Sequence, residues 1–288
     1  MRSIEQKTSR TMSKYSMLNY NDKVAVAVSG GKDSLSLLYI LKKILDSRHR
    51  STDLIAITID EGIRGYRDES LKIVQDFCSN IRIPNKVLSY KEIYGIDMDK
   101  AIKSRSAEKM TSCSICGTFR RRAMDLAAEA VGANVVATAH NLDDQIQSFM
   151  INILAGDVDR IGWTYPQPVL YDTNKLKKIK PFVELYEQEI VFYALQRDIP
   201  FQSEECPYMH ESIRTDLREF LNKFENKHPG IKYNIYNSTM KISKVLRSCI
   251  GKGGVRLCRT CGRECTSEIC AVCNTVSCLT THVSRTEE

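Results

Sequence analysis

Three groups of residues in this 288-residue chain have types and spacings suited to chemistry. The first is Ser29-Gly30-Gly31-Lys32-Asp33-Ser34, directly after the apolar residues 24–28. Glycines between a strand and a helix let the backbone approach an anion closely. The helix that follows offers unpaired N–H groups and the positive end of its dipole. Lys32 adds a charge and the serines add donors, so the loop suits phosphate. It fits neither G-x-x-x-x-G-K-S/T nor G-x-G-x-x-G, and an ordinary strand-helix turn also favours Gly, Asp and Ser.

The second group is Cys113-x-x-Cys116, with Cys206 standing alone downstream. A C-x-x-C pair can bind zinc, hold an iron–sulfur cluster or form a redox disulfide. No second pair nearby completes a zinc site. Three cysteines would hold a cluster with one open iron, and four would close it. Taken alone, Cys206 reads better as a small buried hydrophobe. The third group is Cys258, Cys261, Cys270 and Cys273, spaced x2, x8, x2. Two C-x-x-C knuckles suit tetrahedral zinc, and so short a module needs the metal to fold. Cys265 and Cys278 are expected to be spare thiols.

The elements that position these groups can be read from periodicity. Residues 24–28, 54–60, 85–90 and 134–140 read as strands. Residues 34–45, 70–80, 118–131, 142–156 and 184–198 read as helices, with Gly156 closing one and Pro200 stopping another. The alternation predicts an α/β fold with a doubly wound parallel sheet. Such sheets bind ligands at the carboxyl ends of their strands, where Ser29, Asp60 and His140 fall. Residues 241–263 carry seven basic residues and no acidic one, which marks a composition change before the ribbon.

The net charge of +7 and pI near 8.8 favour an acidic partner, most commonly nucleic acid. No apolar run is long enough to span a membrane, and the N-terminus lacks the apolar core of a secretory signal. A soluble cytoplasmic protein is expected, its eleven cysteines serving metal or redox chemistry rather than disulfides.

S-G-G-K-D-S resembles the signature of the PP-loop ATP pyrophosphatases. "DEGIRGYRDESL" (60–71), "CSICGTFRRRAMD" (113–125), "ATAHNLDDQ" (137–145) and "KIKPFVELYEQEIVFYA" (178–194) together resemble the tRNA 2-thiouridine synthetases. The matches run from about residue 24 to residue 275. The D-E-G-I-x-G-Y-R-D and C-x-x-C-G-x-F-R-R runs favour the branch acting on wobble uridine 34 over that acting on position 54. The resemblance implies that ATP adenylates the C2 oxygen of uridine and that sulfur then replaces it. It assigns the ATP phosphates to Ser29, Gly30, Gly31, Lys32, Asp33 and Ser34, with Asp33 orienting the loop or contacting Mg²⁺. Ala27, Ile57, Asp60 and Ala139 join the nucleotide site, Ala139 standing where relatives commonly have Gly.

Cys113, Cys116 and Cys206 resemble the family's three cluster cysteines, implying a [4Fe-4S] cluster. An older reading makes two of them a persulfide and a resolving thiol. Lys32 and Arg120 are the cations expected to stabilise developing phosphate charge. Asp144 is expected to be a general base or Mg²⁺ contact. The alternative is a helix N-terminal acid, a role equally open to Asp143. His140 is expected to be structural or substrate-lining. The implied partners are tRNA, a ubiquitin-like sulfur carrier or free sulfide as donor, and a second copy in a homodimer. The tRNA path would follow Lys100, Lys103, Arg105, Lys109 and Arg120–Arg122, then the basic residues of 241–263.

The expected organisation is a basic N-terminal segment (1–23), a PP-loop catalytic domain (24–200), a helical extension carrying Cys206 (201–250), a zinc ribbon (251–278) and a disordered tail (279–288). Residues 1–23 hold no Cys or His, whereas relatives usually carry a zinc finger before the first strand. That departure bears on tRNA docking and dimer contacts, not on the ATP chemistry. The rival enzymes are a tRNA cytidine-32 thiolase, which typically lacks the terminal ribbon, and a lysidine synthetase, which lacks the cysteine pattern. From other classes come a non-catalytic zinc-ribbon RNA-binding protein and an electron-transfer iron–sulfur protein. ATP-to-AMP turnover separates the enzyme from the RNA-binding module.

Overall fold

The computed structural model describes residues 2–47, 54–105, 110–166, 176–209, 213–249 and 256–286. The chain begins with α1 (Arg2–Lys14) and β1 (Val24–Ala27), a strand built of Val and Ala alone. There follow α2 (Lys32–Asp46), β2 (Leu54–Asp60), α3 (Arg67–Asn80), β3 (Asn85–Ser89), α4 (Tyr90–Tyr94), α5 (Met98–Lys103) and α6 (Ser112–Ala130). Next come β4 (Val135–Ala137), α7 (Leu142–Leu154), α8 (Val158–Gly162), β5 (Lys177–Ile179), α9 (Glu187–Gln196), α10 (Ile213–Lys227) and α11 (Ile231–Cys249). A terminal module holds β6 (Arg256–Leu257), β7 (Glu264–Cys265) and α12 (Ala271–Thr286).

β1 to β5 form a parallel sheet in the order β3-β2-β1-β4-β5. Side chains alternate across a strand, and β1 sorts its residues accordingly. Val24 and Val26 enter one core with Leu35, Leu38 and Leu41 of α2 and Ile190 of α9. Ala25 enters the other, with Phe119, Ala123 and Ala127 of α6. Small residues on both sides let α6 lie close to the sheet. The strand order reverses between β1 and β4, and the crevice beyond their carboxyl ends is where such sheets hold ligands.

The doubly wound sheet is as expected. β5 escapes sequence reading because it is three residues long and two of them are lysines. Lys177 pairs with Asp22 and Lys178 with Asp125, so charge suits this edge strand. The helix expected over 184–198 starts at Glu187, because Phe182, Val183 and Leu185 are drawn into the core ahead of it. Residues 1–23, expected only as a basic segment, contain α1. Thr11 and Tyr15 donate to Glu184 (3.0 and 3.2 Å), and Lys7 pairs with Glu189 (2.9 Å). α12 runs to Thr286, and Leu279 is wholly buried against the α6 side of the core. Among the described residues no helix is long and apolar enough to cross a membrane.

Candidate active site

β1 ends at Ala27, in register with Ile57 of β2, and the Val28 N–H donates to the Ile57 carbonyl (2.9 Å). The loop then turns through Gly30 at φ +90°. A Cβ there would sit 2.8 Å from Ser70 Cβ, so only glycine fits. Ser34 Oγ donates to the Gly31 carbonyl (2.9 Å) and accepts from the Ser29 N–H (3.1 Å), which curls the loop. No side chain caps α2 at Gly31. Its first-turn amides and dipole are therefore available to an anion.

Lys32 Nζ lies 2.8 Å from Glu187 and 3.6 Å from Asp33. Burial opposes its charge, but Asp33, Glu187 and Asp144 outweigh this and raise its pKa. Burial pushes Asp33 up to about 7; Lys32 opposes the shift, while Glu187 and Asp144 add to it. Asp33 Oδ1 is buried without a hydrogen-bond partner. An orphaned carboxylate oxygen beside a phosphate loop fits Mg²⁺, which takes oxygen ligands.

Glu61 follows β2 and is buried. Its Oε2 is 2.8 Å from Arg67 Nε, and its Oε1 is 2.9 Å from Arg120 Nη2. Arg67, also buried, donates to the carbonyls of Ser29 and Ile59 (2.6 Å each) and to Ser70 Oγ (2.9 Å). Arg120 Nη2 lies 3.2 Å from Cys116 Sγ. Glu61, the largest influence on Arg120, holds that guanidinium firmly charged.

Cys113 and Cys116 occupy the first turns of α6, whose N-cap is Thr111. Tyr90 donates its hydroxyl to the Cys116 carbonyl (3.0 Å). Cys206 comes from the extended segment after α9. That segment is tied to the phosphate loop, since the Gln202 N–H donates to the Gly30 carbonyl (3.0 Å). Gln202 Nε2 also reaches the Tyr66 carbonyl (2.8 Å), and Tyr208 donates to Asp99 (2.9 Å). Burial raises the Cys206 thiol pKa; Cys116 and Cys113 raise it further, while the Tyr208 amide and Arg120 lower it. By donor chemistry, three thiols fit a cluster with one open iron.

In the terminal module the Sγ atoms of Cys258, Cys261, Cys270 and Cys273 all lie within 4.8 Å of one another, which fits tetrahedral zinc. Backbone amides, that of Cys270 first, bring Cys258 down to about 5. Cys265 stays outside the quartet and donates its thiol to the Ser267 carbonyl (2.9 Å). The module rests on α6: Arg263 pairs with Glu129 (2.8 Å), and Arg122 Nη1 is 3.9 Å from Cys261 Sγ.

The family model described as a PP-loop domain matches residues 2–225. Cytoplasmic tRNA 2-thiolation protein 1 from Chlamydomonas reinhardtii is 35% identical over 269 residues, 93% of this chain and 74% of that protein. Its Drosophila ananassae counterpart is 33% identical over 93% of this chain and 77% of that protein. The chain belongs to this tRNA 2-thiolation family of PP-loop proteins. The solved U34-tRNA thiolase NcsA from Methanococcus maripaludis, with its [4Fe-4S] cluster, is similar at a TM-score of 0.82 and 29% identity. The likeness covers 96% of this chain and 87% of NcsA.

The two acids of the thiolation-family segment "NLDD" have different surroundings. Asp143 is buried against Lys232 and accepts the Glu187 N–H (2.8 Å). Asp144 forms a capping box with Asn141 and lies 3.8 Å from Arg214. Burial pushes the Asp144 pKa up; the Asn141 amide, Arg214 and Lys180 oppose this. His140 Nδ1 is 2.8 Å from Thr138 Oγ1. His140 is exposed; its crowded surroundings, followed by Lys180, Arg214 and Arg120, lower its pKa. Asp60 accepts the Gly62 N–H (2.9 Å), and Ala139 packs half-buried against the core. Lys109 lies outside the described residues. Sequence reading missed Glu61, Arg67, Glu187 and Gln202 as site residues. The one available signal was a pair of charges, Glu61 and Arg67, flanking the turn after an apolar strand.

Proposed function

We propose that this protein is an ATP-dependent tRNA uridine 2-sulfurtransferase acting in the cytoplasm on wobble uridine 34. The observation that carries this reading is the direct tie between the phosphate loop and the third cysteine's segment, through the Gly30 carbonyl and the Gln202 N–H. Activation and sulfur transfer need adjacent sites, and the named activities of the relatives fit both.

Carbon 2 of uracil is a weak electrophile, and its oxygen a poor leaving group. The loop and Lys32 hold the ATP phosphates, with Lys32 exchanging Glu187 for phosphate oxygens. Asp33 would offer its orphaned oxygen as a ligand to Mg²⁺. Asp144 takes the N3 proton as the C2 oxygen attacks the α-phosphorus and pyrophosphate departs. Arg120 and Lys32 stabilise the charge that develops. Sulfide then attacks carbon 2, AMP leaves, and N3 recovers a proton. Cys113, Cys116 and Cys206 hold the [4Fe-4S] cluster, which supplies an iron with an open position for sulfur. Cys258, Cys261, Cys270 and Cys273 would hold zinc. The basic segments carry tRNA, a ubiquitin-like thiocarboxylate or sulfide is the donor, and two copies pair.

Anaerobic protein reconstituted with iron and sulfide, then given unmodified tRNA, ATP, Mg²⁺ and sulfide, should yield 2-thiouridine by nucleoside mass spectrometry. Cys206→Ala should yield none. Thiocytidine as the product would replace this reading with that of a cytidine-32 thiolase, and intact ATP would end the enzyme reading.

A further inference from the structure

Glu61 and Arg67 have no part in the chemistry above, yet they carry a dense set of charge-assisted bonds. Glu61 is 5% exposed and Arg67 5%. Glu61 divides its carboxylate between two arginines, one oxygen to each. Arg67 spends its remaining donors on the Ser29 and Ile59 carbonyls and on Ser70 Oγ. Ser29 opens the phosphate loop, and Ser70, through its Cβ and its backbone carbonyl, excludes any Cβ at Gly30. Arg67 therefore braces the loop from below. Arg120 points the other way, its Nη2 3.2 Å from Cys116 Sγ. A continuous chain of charge-assisted bonds links the loop carbonyl to the cysteine thiol.

The buried Glu61–Arg67 pair, with the half-exposed Arg120 on its second oxygen, gives little net stability compared with apolar residues of similar size. Its directional bonds, however, fix where each guanidinium points. We propose that Glu61 and Arg67 are positioning residues that set the phosphate loop and the sulfur site in one register. Arg67 acts on the loop. Glu61 acts on Arg120, aiming it at Cys116 while neutralising the pair. The inference rests on the sulfurtransferase reading of the site and adds residues to it.

The two arms predict opposite losses. Glu61→Gln leaves Arg67 its carbonyl and hydroxyl acceptors, so the cluster-free protein should bind ATP within about threefold of wild type. Its kcat should fall by on the order of 10–100-fold, the weight of a charge-assisted bond. Arg67→Lys cannot reach the Ser29 and Ile59 carbonyls together. Its ATP dissociation constant, read by calorimetry on cluster-free protein, should rise by on the order of tenfold or more. In the double variant Glu61→Gln/Arg120→Gln, the kcat loss should not exceed that of Arg120→Gln alone.

A general structural role predicts something else: ATP affinity falling equally in Glu61→Gln and Arg67→Lys, in step with melting temperature. That result overturns the inference, as do additive kcat losses. Should Glu61→Gln not fold, Glu61→Asp must show the same split at smaller size, and equal losses there overturn it too. The calorimetric comparison needs no thiolation. Failure of wild type to make thiouridine would therefore count against the sulfurtransferase reading alone.

Discussion

The backbone N–H of Gln202 donates to the carbonyl of Gly30 at 3.0 Å. Four residues after Gln202 comes Cys206; straight after Gly30 come Gly31 and Lys32. The loop expected to take ATP and the segment expected to take sulfur therefore share a hydrogen bond, not merely a cleft. Gly30 sits at φ +90°, and its missing side chain clears Ser70. Gly30→Ala should cost about 1–3 kcal/mol of stability through backbone strain, before the clash with Ser70 is counted. Urea denaturation would measure that cost. Calorimetry should show ATP binding lost alongside it.

Asp33 gives a pH dependence whose sign can be worked out. Burial raises its pKa from 3.8 to about 7 in the folded chain. Between those values the folded state holds a proton that the unfolded state has released. The ligand-free protein should therefore lose stability as pH rises through that window. Asp33→Asn should flatten the dependence and melt higher than wild type at pH 8. Thermal melts of both proteins from pH 4 to 8 test this, and parallel curves would refute it.

The buried pair of Lys232 and Asp143 holds α11 to α7 and presents Asp143 to the first amide of α9. Breaking one partner strands the other charge. Lys232→Met should cost about 3–5 kcal/mol, and Lys232→Met/Asp143→Asn distinctly less than the sum of the single variants. Urea titrations of the three proteins give the coupling directly.

The ribbon cysteines should behave as a set. Chelation, or Cys258→Ser, should remove zinc and lower the melting temperature, because metal binding carries the folding energy of so small a module. Cys265→Ser should keep its zinc, since that thiol is turned to the Ser267 carbonyl. Elemental analysis beside thermal melts would decide it. Zinc lost from Cys265→Ser would mean that the quartet is differently composed.

Much of this arrangement was legible beforehand because its signals are local. The Val and Ala alternation of β1, the glycine pair after it and the x2-x8-x2 cysteine spacing each fit within a short window. Glu61, Arg67 and Gln202 were not legible, because each acts through a group distant in sequence. Arg67 reaches back to Ser29, Glu61 forward to Arg120, and Gln202 back to Gly30. Asp143 and Asp144 could not be told apart from sequence, since only the arrival of Lys232 from α11 separates their roles. The burial of Leu279 was not legible for the same reason: it packs against a core distant in sequence.

Helix α6 carries Cys113 and Cys116 at one end and takes Cys261 and Arg263 through Arg122 and Glu129 further along. Its 19 residues make a rod of roughly 28 Å. Such a rod passes a tilt at one end to the other with little loss. Under the proposed function, zinc shortage would therefore be felt at the sulfur-handling end as misalignment, with iron plentiful and ATP still bound. Supply of two different metals would then converge on the pitch of a single helix.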